Sequence, residues 1–308
     1  MQLSVIVVSY NTRGLLTSCL GSVERYMAGV EHEVCVVDNA SSDGGAALVR
    51  EMFPRARVLS SPRNLGFAAA VNMGLGATSG RYVLWLNPDA EILNGGISAL
   101  LSYMEAEPGV GIVGPQLLNT DGSIQLSCRS FPSYDAALFN RHSLLTSWFP
   151  QNRYTRRYLH TDWDHMSARA VDWVSGACLL HRREVSDQIG GLDERFFIYM
   201  EDIDFCLRAG GAGWEVIYHP AMLARHHIGG SSRQAPYRTV VELHRSVWRY
   251  YAKHFTRSPL KDVLAGAAIW GRCAAMLCQA AVGRGDARLR RGPALRHGRH
   301  AQGESRSL

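Results

Sequence analysis

An α/β fold built on a mixed, mainly parallel sheet flanked by helices, with a helical extension at the C-terminus, is what this sequence predicts. Two observations carry that expectation. Four short β-branched or apolar runs, at residues 5–8, 34–37, 57–60 and 82–86, alternate with stretches that read as helix. A polar cluster follows each run, at the carboxyl end where such sheets hold ligands.

The elements follow in order. Val5-Ile6-Val7-Val8 is a strand, closed by Ser9-Tyr10-Asn11, and a helix is expected over 15–27. The second strand ends in Asp38-Asn39-Ala40-Ser41-Ser42-Asp43, where Ser42-Asp43 can start a helix over 44–53. Arg63-Asn64 follows the third strand and opens a helix over 66–77; Asn87-Pro88-Asp89 follows the fourth. Any one of these clusters reads equally well as a turn or cap, but four in succession point polar groups at one rim. In the second half, residues 172–181 form a strand-like run, 201–209 a short helix, 214–218 a strand and 237–254 a longer amphipathic helix.

With 308 residues, 46% apolar and 19% charged, the chain has the composition of a soluble enzyme rather than of a disordered one. Its seven cysteines form no CxxC pair, which predicts reduced thiols in a cytosol. Met1 to Val8 runs straight into a strand, so no cleavable signal is expected. The formal charge of +6 is concentrated in residues 284–308, where seven arginines face only Asp286 and Glu304. Such a tail suits an anionic membrane surface or solvated disorder; lacking interleaved aromatics upstream, nucleic acid is not an expected partner. Residues 264–282 are apolar but short and rich in Ala and Gly, which favours an in-plane or dimer-packing helix over a span.

Transfer of a sugar from a nucleotide diphosphate needs a base and ribose site, a divalent cation at the leaving group, and a base for the acceptor. Asp89, at a strand end, suits the hard cations Mg²⁺ or Mn²⁺. Asp38 can accept hydrogen bonds from a pyrimidine N–H, with the main chain of residues 8–10 beside it. Arg63 and Asn64, then Gly66 and Phe67, place a charged fork and a close-approaching helix near the diphosphate or sugar, with Asn72 two turns along facing the same cleft. Tight helix–sheet packing explains Gly66 equally well. Glu201-Asp202 enters a helix from the apolar run that begins at Phe196, which suits a general base and also suits plain stabilisation of a helix N-terminus. His226-His227-Ile228-Gly229-Gly230-Ser231 could give a metal ligand and a phosphate-binding loop, or be a packing feature.

Taken in order, Val5 to Asn11, Val37 to Gly44, Asn64 to Asn72, Leu86 to Asp89, Trp173 to Ala177, Glu201-Asp202 and His226 to Ser231 resemble family 2 glycosyltransferases of the GT-A fold, in the bacterial rhamnosyltransferase-like branch. The likeness spans residues 3–255. It implies a nucleotide-sugar site of Ser9, Tyr10, Asn11, Asp38, Arg63, Asn64, Gly66, Phe67, Asn72 and Asn87, and a metal held by Asp89 with His226. It also implies Asp202 as catalytic base beside Glu201, single-sugar transfer with inversion, dTDP-L-rhamnose as donor, and a cell-surface polysaccharide or lipid-linked saccharide as acceptor. The layout expected is a domain over 1–258, its nucleotide-sugar half ending at 120 and its acceptor half beginning at 121. Residues 259–283 then form an apolar helix for membrane or homodimer contact, and 284–308 a disordered basic tail, on a protein peripheral to the inner membrane face. Residues 127–170 carry no decodable motif and are expected to form acceptor-side loops.

One departure stands out: Asn87-Pro88-Asp89 occupies the place of an Asp-x-Asp motif, so one carboxylate is missing. A non-catalytic scaffold with this fold is the rival that this departure permits. A nucleotidyltransferase would want a Gly-rich triphosphate loop after Val8, and a dehydrogenase would want its glycines there rather than at residues 74–80. A processive synthase would carry QxxRW and several membrane helices.

Overall fold

The four runs become β1 (Leu3–Ser9), β2 (His32–Asp38), β3 (Arg57–Ser60) and β4 (Tyr82–Leu86) in a computed structural model that describes residues 1–133, 153–227 and 236–290. Between them lie α1 (Arg13–Tyr26), α2 (Gly45–Met52) and α3 (Phe67–Gly76). The strands pair in parallel in the order β3-β2-β1-β4. Strand order therefore reverses between β1 and β4, which is where α/β sheets open a crevice beyond their carboxyl ends.

Alternation along β1 shows how the layers are made. Val5 and Val7 pack with Leu16, Leu20 and Val23 of α1, while Ile6 and Val8 pack with Ala68 and Val71 of α3. All four valines and isoleucines are buried, each contributing roughly 1.5–3 kcal/mol.

The second half adds β5 (Ala90–Ile92), α4 (Ile97–Ala106), β6 (Val110–Leu118), β7 (Ile124–Gln125), β8 (Cys128–Arg129), α5 (Arg153–Leu159), β9 (Arg169–Ala170), β10 (Trp173–Val174), β11 (Cys178–Arg182), α6 (Arg183–Ile189), α7 (Glu201–Gly211) and β12 (Glu215–His226). β11 inserts antiparallel between β4 and β6, and β12 runs parallel to β6, so one sheet crosses both halves. The start of β11 and the end of β12 consequently lie on the same rim as the ends of β1 to β4.

Two expected elements differ. The run at 172–181 is two strands in two sheets, because β10 pairs with β8 and the chain turns at Ser175-Gly176-Ala177 before entering β11. The strand expected to stop at 218 continues to His226, with two register shifts against β6, the second of which accommodates Pro220.

The C-terminal part is a helix pair, α8 (Pro236–His254) and α9 (Pro259–Arg290). Tyr251 donates to Asp262 Oδ1 at 2.9 Å and Trp248 lies beside Gly266, so α9 packs along α8. Its less exposed stripe runs through 262, 265, 266, 269, 272, 273, 276 and 277, leaving apolar Leu260, Val263, Leu264 and Trp270 outward. Residues 259–281 are long and apolar enough to cross a membrane by length and composition, longer than the run read from the sequence. Residues 284–290, expected in the tail, are helical; 291–308 lie outside the described residues.

Candidate active site

The loops after β1 and β2 are laced into one surface. Asn39 donates its N–H to the Ser9 carbonyl at 2.8 Å, and the Asn11 N–H reaches Ser41 Oγ at 3.0 Å. Asn11, in the left-handed region at φ 53°, accepts at Oδ1 from the Ser42 N–H at 2.8 Å. Asp38 is nearly buried and accepts the Ser41 N–H at 3.0 Å, and Tyr10 stands partly exposed between these loops. The third loop joins through Asn39, whose amide donates to Asn64 Oδ1 and to the Gly66 carbonyl and accepts from the Leu65 N–H. Asn39 had no role in the sequence reading beyond a turn residue. Arg63 is exposed on this loop.

Gly66 is required twice over. Its φ is +87°, and an added Cβ would lie 2.5 Å from the Phe197 carbonyl oxygen. That approach lets the Phe67 N–H donate to the same oxygen at 2.7 Å, tying α3 to the segment ahead of α7. Asn72 does not join the rim loops: its amide exchanges hydrogen bonds with the Leu192 backbone and donates to Glu194 Oε1 at 3.0 Å. All its donors serve the contact between α3 and the loop before α7.

The acidic motif is set by two strand contacts. The Asn87 N–H donates to the Ala177 carbonyl at 2.8 Å, and the pairing of β5 with β12 puts His226 opposite Ala90. Asp89 Oδ1 then lies 3.4 Å from His226 Nε2, and the His227 N–H donates to the Asp89 carbonyl at 2.8 Å. Gln125 Nε2 donates to Asn119 Oδ1 at 3.0 Å, which turns its Oε1 toward His226 Nδ1 at 2.8 Å. The ring of His226 is thus held from behind at Nδ1 with Nε2 turned toward Asp89, an orientation that a metal ligand could use. This pair fits a divalent cation with oxygen ligands from elsewhere; among the described residues no group of three His, Cys, Asp or Glu converges. The loop Gly229-Gly230-Ser231 lies outside the described residues.

Glu201 and Asp202 open α7. Asp202 accepts the Gly176 N–H at 3.0 Å on Oδ2 and the Ile203 N–H at 2.9 Å on Oδ1. Gly176 matters for this contact, since an added Cβ would stand 3.3 Å from the Asp202 Cβ. A continuous path therefore runs from Asn87 through Ala177 and Gly176 to Asp202, placing the base candidate beside the acidic motif. Burial pushes the Asp202 carboxyl up, against the two N–H groups and Arg129, which favour its ionised form. Burial and then the adjacent Asp202 charge push Glu201 well above the usual carboxylate range, and its Oε2 has no hydrogen-bond partner among the described residues. Such a pair can keep one proton on Glu201 while Asp202 accepts another.

A family model described as glycosyl transferase family 2 matches residues 4–175. The chain belongs to that family. An N-acetylglucosaminyl-diphospho-decaprenol L-rhamnosyltransferase of Mycobacterium tuberculosis (strain ATCC 25618 / H37Rv) is 34% identical over 280 residues, covering 86% of this chain and 89% of that protein. Rhamnosyltransferase WbbL of Escherichia coli (strain K12) is 26% identical over 175 residues, 56% of this chain and 62% of that one. Among solved structures, the mannosyltransferase PcManGT from Pyrobaculum calidifontis, in complex with GDP-Man and Mn²⁺, aligns with a TM-score of 0.56 at 19% identity, over 91% of this chain and 75% of that one.

This family 2 glycosyltransferase accordingly has the GT-A fold and stands in the rhamnosyltransferase-like branch, as the motifs implied. The motifs contained Asn39 and Gly176 without giving them a role, and left out Gln125; Asp204 too had no role there, yet it is fully buried and meets Arg208 at 2.7 Å and Lys253 and His254 each at 2.6 Å. No sequence signal marks it, because Lys253 and His254 lie a whole β-strand and helix further along the chain.

Proposed function

We propose that this glycosyltransferase moves L-rhamnose from dTDP-L-rhamnose to a lipid-linked saccharide, with inversion at the anomeric carbon. The observation that carries the reading is the hydrogen-bonded path from Asn87 to Asp202, with Asp89 and His226 at its near end. The loops bearing Ser9, Tyr10, Asn11, Asp38 and Asn64 would receive the nucleotide, and exposed Arg63 would meet a phosphate. Asp89 and His226 would hold Mg²⁺ or Mn²⁺, which supplies positive charge for the diphosphate leaving group. The single histidine and single carboxylate leave room for phosphate oxygens as further ligands.

Asp202 accepts the proton of the acceptor hydroxyl as that oxygen bonds to the anomeric carbon. The bond from that carbon to the diphosphate oxygen breaks in the same displacement, and the dTDP leaves with the electron pair. Glu201, whose neutral form is favoured by burial, would avoid a second negative charge beside the base. The similarity to the mycobacterial enzyme supports an N-acetylglucosaminyl-diphospho-polyprenol as acceptor. That acceptor class agrees with the outward apolar face of α9 and the arginines after it, which suit an anionic membrane surface on the cytoplasmic side.

Incubation of the purified protein with dTDP-L-rhamnose, Mn²⁺ and N-acetylglucosaminyl-diphospho-decaprenol should give a rhamnosylated lipid of opposite anomeric configuration to the donor. Failure of every lipid-linked acceptor, with donor binding intact, would overturn the acceptor class; retained configuration would overturn the single displacement.

A further inference from the structure

Helix α7 is entered through two consecutive left-handed residues, Tyr199 (φ 66°) and Met200 (φ 70°). Neither is glycine, so this conformation persists only where the surroundings over-determine it. Asp202 stands two residues after it. Much of what fastens the turn comes from α8, more than thirty residues further along the chain. Ser246, fully buried, donates from Oγ to the Ile198 carbonyl at 2.8 Å, and Arg238 lies over the Phe197 ring at 4.6 Å.

The other side of the acid pair is fastened from the same helix. Asp204 receives Lys253 Nζ and His254 Nε2, and Lys253 also reaches Asp193 Oδ2 at 2.7 Å. Arg208 joins Asp204 to the Ile189 and Gly191 carbonyls. Contacts from α8 thus fall at 197 and 198, before Asp202, and at 204, two residues after it.

We propose that α8 is a positioning element for the transfer step, with Ser246, Lys253 and His254 holding segment 198–204 so that the Asp202 carboxylate is presented to the acceptor hydroxyl. This rests on the reading of Asp202 as the base. Arg129 from β8 is the charged group that acts on Asp202 from another element, while Glu201 beside it faces both Asp202 and Asp204, and the Gly176 and Ile203 N–H groups donate to the Asp202 carboxylate. Loss of Lys253 leaves Asp204 less neutralised beside the pair, which disfavours ionised Asp202. The acid limb of kcat then moves to higher pH.

The test compares Lys253→Met, Lys253→Arg and Ser246→Ala, using dTDP-L-rhamnose, Mn²⁺ and N-acetylglucosaminyl-diphospho-decaprenol. Lys253→Met should lower kcat about tenfold or more, as small misplacements of a reacting group do, with donor Kd within about twofold of wild type and the acid limb at higher pH. Lys253→Arg should restore most of the rate, and Ser246→Ala should lower kcat about threefold without changing donor Kd. Should Lys253→Met fail to fold, Ser246→Ala and its kcat-to-Kd split carry the test. Unchanged kcat in folded variants, or kcat and Kd worsening together, overturns the proposal. If Asp202→Asn abolishes transfer while the α8 variants do not lower kcat, only this inference fails; wild-type kcat in Asp202→Asn sinks the base assignment itself.

Discussion

Two acidic sites on the first turn of α7 are built in opposite ways. Burial drives the Glu201 and Asp202 carboxyls up, and neighbouring carboxylates push Glu201 further, with N–H groups and Arg129 opposing at Asp202. At Asp204 burial also acts upward, but Lys253, His254 and Arg208 more than offset it and hold the carboxyl below its usual value. The proposed base is thus an acid of raised basicity, and two residues on stands an acid held as an anion that ties helices together. Sequence position alone would assign both to the same helix-capping role.

The contrast can be broken by substitution. The largest effect is expected for Asp202→Asn, which should lower kcat by about 10³-fold while donor Kd stays within about twofold, measured by lipid rhamnosylation and calorimetry. Asp204→Asn should also cost stability, about 3 kcal/mol through loss of the anion that pairs Lys253 and Arg208, read from urea denaturation. If Asp204→Asn unfolded no more easily than wild type, the contrast between the two sites would be lost.

Smaller effects sharpen the comparison. Raised acids favour the folded state when protonated, so Glu201 and Asp202 should make stability fall as pH rises from the ordinary carboxylate range, near about 4, toward their raised values. Asp204 contributes stability above that ordinary range and loses it as pH falls through its depressed value. Glu201→Gln should flatten the first slope and change stability by only about 1 kcal/mol or less, since the raised carboxyl of Glu201 favours its neutral form, which glutamine mimics. A large destabilisation by Glu201→Gln in the same denaturation experiment would mean that Glu201 is ionised and paired.

Much of the first half was legible because strand ends and loops there follow one another in the chain. β3 and β4 fall where the apolar runs fell, and Asp38, Asn64 and Asp89 stand at the rim. The second half was less legible for physical reasons. Gly111, Gly114 and Pro115 interrupt the apolar pattern of β6, and Pro220 interrupts that of β12, though both are continued as single strands, β12 by a register shift at Pro220. His226 could be singled out as a ligand candidate, but not the Gln125 and Asn119 that orient it, since polar residues in a short hairpin carry no distinguishing pattern. Asn72 misled for the same reason: only the folded chain brings Leu192 to its amide.

The division of labour between Asp89 and Asp202 is most directly tested by calorimetric titration of dTDP-L-rhamnose, with and without Mn²⁺, into wild type, Asp89→Ala and Asp202→Asn. Metal-dependent donor binding should be lost in Asp89→Ala and kept in Asp202→Asn. Equal loss in both variants, or intact metal-dependent binding in Asp89→Ala, would contradict it.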